Sequence, residues 1–327
     1  MKSVAIIGAG ISGLSLANKI NNISNVTVFE KSRGLGGRVA TRRVGNFSFD
    51  HGAQFFKAKS SEFNEYIEPM IEKGIIDIWK ARFIEIDHGK VTNSRIWGEE
   101  SANYIGIPSM SAIGKFMSEG LNIKLSEKIE KIQRNSKWEL FTAENETKGQ
   151  YDWIISTIPP KQTIELIPNI KNIYSNIESH KMLACYSLML GFDKAIDIDF
   201  DAALVKGKDI SWISVNSSKP GRGDQYTILA HSTNKWASEN IERDRDWVKE
   251  YLCGELSKII DRDISNASYI GLQGWRYANI GKQKGENFYI NKEENIALCG
   301  DWFIQGRIES AYLSSSRLAN KLIQELE

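Results

Sequence analysis

The sequence predicts an α/β fold in which a βαβ-based domain is interleaved with a smaller, mixed-sheet α+β domain. Three observations predict it. The chain opens with an apolar strand (Val4–Ile7), a turn with glycines at 8, 10 and 13, a helix-period run and a second strand, Val26–Glu30. Buried-strand runs return at Asp152–Thr157 and Ile296–Asp301, so the opening domain is completed from the middle and the end of the chain. Finally, 327 residues suit two domains better than one. The first domain is expected over 1–58, 101–160 and 286–327, the second over 59–100 and 161–285, with a cleft between them.

The opening unit carries its own chemistry. In Gly8-Ala9-Gly10-Ile11-Ser12-Gly13, Gly8 permits a tight turn, Gly10 lets backbone approach a pyrophosphate, and Gly13 lets helix and strand pack closely. Ile11 and Ser12 open a helix whose N-terminus faces phosphates. Ile11, Leu14, Ala17 and Ile20 give it one apolar face. Glu30, closing the second strand, can accept hydrogen bonds from a ribose diol and disfavours a 2'-phosphate there. A glycine-rich turn alone is a weak signal. With both strands, the helix and the acid in place it reads as a Rossmann-type site for an adenine dinucleotide. Seven basic residues in positions 1–54 (Lys2, Lys19, Lys31, Arg33, Arg38, Arg42, Arg43) against Glu30 and Asp50 suit a bound pyrophosphate.

Further along, Phe47 and Phe49 alternate with polar residues. A helix-like stretch follows (Phe63, Ile67, Met70, Ile71), then short strands at Ile75–Ala81 and Phe83–Asp87. Pro108 precedes a helix whose Met110, Ile113, Phe116 and Met117 share a face, with Gly120 ending it. Strands are predicted at Ile123–Leu125, Lys128–Arg134 and Lys137–Thr142. Pro159 and Pro160 stop the strand Asp152–Thr157, and a last helix presents Leu318, Leu322 and Leu326.

Composition removes several classes. Forty-two Lys+Arg against 41 Asp+Glu leave net charge +1, which gives no global case for nucleic acid or an anionic membrane. Cys185, Cys253 and Cys299 are sparse and odd in number, so neither a disulfide framework nor a zinc site is expected, and a reduced cytoplasmic setting is the default. Four histidines (His51, His88, His180, His231) show no metal-ligand spacing. No apolar run reaches membrane-span length, and Val4–Ile7 reads as a strand, not a signal peptide.

After Glu30 runs Lys31-Ser32-Arg33-Gly34-Leu35-Gly36-Gly37-Arg38. Its adjacent glycines let backbone amides approach a diphosphate or flavin ring, and Arg38 adds a fixed cation. This segment resembles the second fingerprint of the FAD-dependent amine oxidase superfamily. Leu298-Cys299-Gly300-Asp301-Trp302 through Ser314 resembles its third signature. The resemblance implies that Gly300 and Asp301 meet the ribityl chain and that a helix opening at Arg307 and Ile308 aims its N-terminus at the flavin. It also implies that the backbone of Ile129 touches adenine. Arg38–Thr41, Phe49–Phe56, Tyr104–Ser111, Ser156–Gln162 and Trp275–Ala278 look like the bacterial renalase-like flavoproteins within that superfamily. The likeness spans nearly the whole chain, weakest over 60–100 and 195–245.

That resemblance implies FAD contacts at Ser12, Arg38, Gln54 and Phe55; with no evident Cys or His anchor in the sequence, noncovalent FAD is expected. It implies oxidation of 2- or 6-dihydro-NAD(P) isomers, with O2 taking the electrons to give hydrogen peroxide. The strand Met182–Phe192 lacks the lysine that amine oxidases usually hold near flavin N5, and Tyr186 sits near that register. His51, Tyr186, Trp275, Arg276 and Tyr277 are candidates for the substrate pocket; core packing (Trp275), surface charge (Arg276) and a structural role (His51) are the plainer readings. An amine oxidase, a desaturase-like dehydrogenase and a non-catalytic flavin-binding redox sensor are the competing functions.

Overall fold

The structure, a computed structural model, describes residues 1–167, 173, 175 and 177–327. The chain folds as two compact units, each assembled from separate segments. One comprises Met1–Arg38, Gly114–Met182 and Asn279–Glu327, the other Val39–Ile113 and Leu183–Ala278.

The first unit is built on a six-stranded sheet. Its order is Tyr289–Asn291, Ile296–Leu298, Trp153–Ser156, Ser3–Ile7, Asn25–Glu30, Ile123–Leu125. The pairs are parallel except at Tyr289–Asn291. Buried on both faces, the central strands read as continuous apolar runs. The helix Ile11–Ile20 crosses from Ser3–Ile7 to Asn25–Glu30 and packs along the C-terminal helix Ile308–Leu326, with Ser12 Oγ donating to Ala311 O at 3.0 Å. Pro160 ends no more than a strand: it stands in the first turn of the helix Pro160–Leu166, where its missing N–H costs nothing.

The second unit is built on a seven-stranded sheet. Its order is Tyr269–Asn279, Leu183–Phe192, Tyr226–Ser232, Ile210–Val215, Ala202–Lys206, Arg82–Asp87, Lys90–Ile96. The helix Arg245–Ile260 covers one face: Val248, Leu252, Leu256 and Ile260 join Tyr186, Leu188, Leu190, Ile228, Ala230 and Ile213 in one core. Asp244 caps this helix through the amides of Asp246 and Trp247.

The units divide the chain at other points than the sequence suggested. Residues 39–58 and 101–113 fall in the second unit because Asp50 and Gln54 are bonded there by Lys219, Arg222 and Ser214, and the Met110 amide donates to Asp50. Residues 161–182 and 279–285 fall in the first, where Leu166, Ile167 and Ile280 pack against Ile7, Ile154 and Ile296. The second unit is also not the lesser one, since its sheet is the wider. Several strands are shorter than predicted, among them Ile76–Ile78, Ile296–Leu298 and Lys131–Arg134, the last of which leaves Ile129 ahead of its strand.

Candidate functional site

In the first unit the glycine turn divides its work as its spacing requires. Gly8 holds φ at +106°, a conformation L side chains rarely adopt. A Cβ at Gly13 would lie 1.9 Å from Gly8 O, so helix and strand touch backbone to backbone. A Cβ at Gly10, by contrast, would meet nothing within 4 Å. Gly10 caps the helix Ile11–Ile20 without a side-chain bond, so the first-turn amides of Ile11, Ser12 and Gly13 remain for an outside acceptor. Open space beside uncapped amides is what a pyrophosphate requires.

A further turn, at Gly36 and Gly37, completes this cradle. Gly36 donates to Ala9 O at 2.9 Å, and Gly37, at φ +58°, brings its Cβ position 3.3 Å from Gly10 Cα. Beneath them Gly114 packs so closely on Gly36 that a Cβ would stand 2.8 Å from its Cα; sequence reasoning passed over this glycine because it reads as an ordinary helical residue. Thr157 Oγ1 donates to Ile7 O (2.9 Å) and Gly8 O (3.0 Å), fixing the turn from the neighbouring strand.

Glu30 is 8% exposed and accepts from Ala9 N (2.9 Å) and Ser32 N (2.8 Å), one bond to each oxygen. Each oxygen keeps a lone pair for a ribose hydroxyl. Glu127 N donates to Glu30 O, which carries the segment leading to Ile129 to the end of this strand; the Ile129 side chain is buried in the core. Lys31, one residue on, is exposed. Arg38 and Asp301 form a two-pronged ion pair across 263 residues (2.9 and 2.5 Å), with Asp301 nearly buried. Gly300 is held by Ser314 Oγ at 3.0 Å, and Arg307, exposed, stands at the uncapped start of the C-terminal helix beside Ile308. The uncapped amides, the glycine cradle and the buried Glu30 carboxylate beside them fit FAD.

In the second unit strand alternation sorts the remaining candidates. Tyr186, predicted in a substrate pocket, points to the helix-covered face. It is 1% exposed, packs on Trp236 and donates to Asn240 O, so it is a core residue. Arg276 lies beside a surface carboxylate, pairing with Glu242 on an exposed edge, and is likewise removed from its neighbour Trp275. Trp275 stacks on His51 (centroids 5.2 Å apart, 14° between planes) and donates to His51 O at 2.8 Å. Tyr277, two residues on, alternates to the side of Trp275 and is half-buried.

On the sheet face opposite the helix, Ser187, His231 and Trp212 stand side by side in register on three adjacent strands. Phe55 packs 5.5 Å from Trp212. Burial, reinforced by Arg42, pulls His51 down to about 4; burial, then Lys219 and His51, does the same to His231, so both rings are neutral near pH 7.

Gln54 does not present its amide freely. It donates to the carbonyls of Asp50 and Gly52 and accepts from Ser214 (2.8 Å) and Lys219 (3.1 Å). Lys219 and Arg222 were not singled out from the sequence. Both converge on buried Asp50, Arg222 through two nitrogens at 3.0 and 2.7 Å and Lys219 at 3.5 Å. Burial alone would raise the Asp50 carboxyl; Lys219, Arg222, the Met110 amide and the Thr41 hydroxyl reverse this and hold it below its ordinary value. Burial drops Lys219 to about 8 against the opposing pull of Asp50. Its three donors go to Asp50, Gln54 and Asn216.

Among the described residues no His, Cys, Asp or Glu group could hold a metal ion, and no helix is long and apolar enough to cross a membrane. Comparison with known proteins adds to this geometry. Residues 6–72 match a family described as NAD(P)-binding Rossmann-like domain, and residues 88–323 one described as flavin containing amine oxidoreductase. The chain is 24% identical to renalase from Mus musculus over 284 residues, covering 80% of each protein. It is 32% identical to 4,4'-diapophytoene desaturase of Staphylococcus aureus over 87 residues, a stretch that covers only 17% of that enzyme. A solved Exiguobacterium protein, provisionally described as a protoporphyrinogen oxidase, shares the fold over 99% of both chains (TM-score 0.80, 14% identity). A putrescine oxidase shares it at TM-score 0.69 and 11% identity.

Proposed function

The chain belongs to the family of flavin-containing amine oxidoreductases and is an FAD-dependent oxidoreductase, and on that premise we propose that it is a renalase-like oxidase of 2- or 6-dihydro-NAD(P) isomers. The reaction would return NAD(P)+ and pass two electrons to O2, giving hydrogen peroxide. The observation that carries this reading is the likeness to mouse renalase along 80% of both chains.

FAD, when bound, supplies the hydride acceptor and the route of the electron pair to oxygen. The protein's part is holding and orienting. Glu30 would receive the adenosine ribose, the amides after Gly10 the pyrophosphate, and the Arg38–Asp301 pair the ribityl region, with Gly36 and Gly37 allowing close approach. On the substrate side, hydride donation from a dihydronicotinamide removes no separate proton, so no base is required. The residues agree with that demand: His51 and His231 are neutral, and the buried Lys219, whose donors are all engaged, does not serve as the water-holding lysine of an amine oxidase. Noncovalent FAD is in keeping with Cys185, Cys253 and Cys299, each raised by burial and none a ready nucleophile.

The test is an anaerobic titration of the flavin-loaded protein with borohydride-reduced NAD+, which contains the 2-, 4- and 6-dihydro isomers. Rapid bleaching of the visible band by the 2- or 6-isomer but not by pure 4-dihydro-NAD, with peroxide formed on admitting oxygen, is the expected result. A flavin that stays oxidised with every isomer overturns the reading and directs the search to amines and alkenes.

Cofactor retention is tested separately. Glu30→Ala strands the Ala9 and Ser32 amides and removes the ribose acceptor, so FAD affinity should fall about 10- to 100-fold, the worth of one to two charged hydrogen bonds. The flavin-to-protein absorbance ratio after gel filtration reads this directly, and an unchanged ratio would remove Glu30 from the site.

A further inference from the structure

In the second unit the hairpin of Arg42–Val44 and Phe47–Phe49 meets one face of the edge strand Tyr269–Asn279. Alternation puts Tyr269, Gln273, Trp275 and Tyr277 on that face, away from Leu272, which joins the helix-covered core. Phe47 and Phe49 pack on Tyr269, Arg42 Nη2 donates to Gln273 Oε1 at 2.6 Å, and His51 stacks on Trp275. Gln273 is fixed in turn by donating from Nε2 to Gly274 O at 3.0 Å. Arg42 is half-buried, yet among the described residues its guanidinium makes one hydrogen bond, to Gln273, and no ion pair. By contrast Arg38, Arg222 and Arg276 each hold a carboxylate.

The Arg42 guanidinium keeps its capacity for an anion. It carries five N–H donors in a rigid fork. Gln273 takes one of the two hydrogens on Nη2, so whichever it takes, one edge of the fork retains two parallel donors. Nε and Nη1 have no partner in the protein and are not buried, so a ligand reaches them from solvent. The charge is not cancelled nearby either: after burial, Arg42 is the main influence holding His51 low, and Asp50 opposes it by less. Two parallel donors on a fixed cation match an oxyanion, which accepts both bonds at once. Gln273 and Trp275 stand about 7 Å apart along the strand, the length a ribose puts between a base and its 5'-phosphate. Arg276, the cation next to Trp275 in sequence, is spent on Glu242.

We propose that Arg42 is an anion anchor in the second unit, gripping a phosphate of the substrate through two guanidinium donors while Gln273 holds the fork in place. The identification of that phosphate as part of a nicotinamide nucleotide rests on the oxidase reading above; the oxyanion chemistry of the anchor does not. Arg42 is a binding residue on this account, and its contribution is to the affinity of phosphorylated ligands.

The experiment measures binding by calorimetry to the flavin-loaded protein of three probes. These are nicotinamide mononucleotide, nicotinamide riboside, which lacks the phosphate, and benzoate, a carboxylate on a ring. Wild type should bind the mononucleotide about 10-fold or more tighter than the riboside, the scale of hydrogen bonds to a charged group. Arg42→Gln should bring the two within about 3-fold of each other by weakening the mononucleotide. Arg42→Lys keeps the charge and loses the fork, so its preference should fall between these values, and it carries the test if Arg42→Gln does not fold. Both variants should keep the wild-type flavin-to-protein ratio; a lower ratio would place Arg42 on the cofactor's phosphates and overturn the anchor. A preference that survives at full size in the variants, or a wild type that binds no probe or does not distinguish mononucleotide from riboside, overturns it too. So does weakened benzoate with unchanged mononucleotide, which would make the anion a carboxylate. Isomers that bleach the flavin while the preference survives Arg42→Gln leave the oxidase reading standing without the anchor. The expected loss of preference in a protein that no isomer bleaches leaves the anchor standing without the oxidase.

Discussion

Replacing Asp50 with alanine is expected to cost about 3–5 kcal/mol of unfolding free energy, because it leaves two buried cations without their counter-ion. Asp50 is wholly buried and takes hydrogen bonds from Thr41 Oγ1 (2.7 Å), Met110 N (3.0 Å), Arg222 and Lys219. These come from three stretches far apart in sequence, so one carboxylate fastens the 41–54 loop, the Met110 turn and the 214–222 segment together. At pH 7, below the value of about 8 for Lys219, both cations are charged and the full effect is present. Asp50's own carboxyl is held below its ordinary value, so its contribution is present above the normal carboxylate range and fades only as pH falls beneath it. His51 and His231, ordinarily near 6.5 and here near 4, take stability away earlier, as pH falls from about 6.5 to about 4, so the comparison belongs at neutral pH. Urea unfolding of the holoprotein followed by far-UV circular dichroism measures the change. Arg222→Met should cost less, since the remaining Asp50–Lys219 pair is neutral. A loss below about 1 kcal/mol for Asp50→Ala, or the reverse order of the two variants, would show that the cluster is not electrostatically closed.

That cluster was not legible in the sequence, and the reason is distance. Lys219 and Arg222 meet Asp50 across 169 and 172 residues. Flanking Pro220 and Gly221, two cations read locally as a solvated turn, and no periodicity links them to an acid in another segment. Tyr186 was misplaced for a different reason. The strand Leu183–Phe192 is buried on both faces over most of its length, so its run of apolar residues gives no face to choose, and a shift of one position inverts the assignment. Arg276 was within reach of sequence argument: adjacent strand residues point to opposite faces, so Trp275 and Arg276 could not both line one surface. The dinucleotide turn was legible because its requirements are local. Gly8, Gly10, Gly13 and Glu30 act within one βαβ unit, where spacing alone fixes geometry. Arg38 and Asp301 were each found by resemblance, but their mutual ion pair is a product of the fold.

Gly13→Ala should do more damage to the first unit than any polar change in it, and comparison with Gly10→Ala separates the two kinds of glycine in the turn. At Gly13 the new methyl would lie 1.9 Å from Gly8 O and 2.9 Å from Thr157 Oγ1. The first obstacle is backbone and cannot rotate aside, so the helix Ile11–Ile20 must lift off its strand and with it the contact to the C-terminal helix. Overpacking of this kind costs about 1–3 kcal/mol where neighbours can adjust and more where they cannot. The apoprotein should therefore melt several degrees lower and retain little FAD. Gly10 has an ordinary φ of −76°, and its added methyl meets nothing within 4 Å. The Gly10→Ala apoprotein should melt with wild type, yet its methyl would occupy the space a pyrophosphate needs, so the flavin-to-protein ratio alone should drop. Two readouts on each variant, melting temperature without FAD and flavin content with it, make the argument strict. A Gly13→Ala protein of wild-type melting temperature would refute the backbone contact. A Gly10→Ala protein that keeps its flavin would move the pyrophosphate away from this turn, and with it the role assigned to the amides that follow.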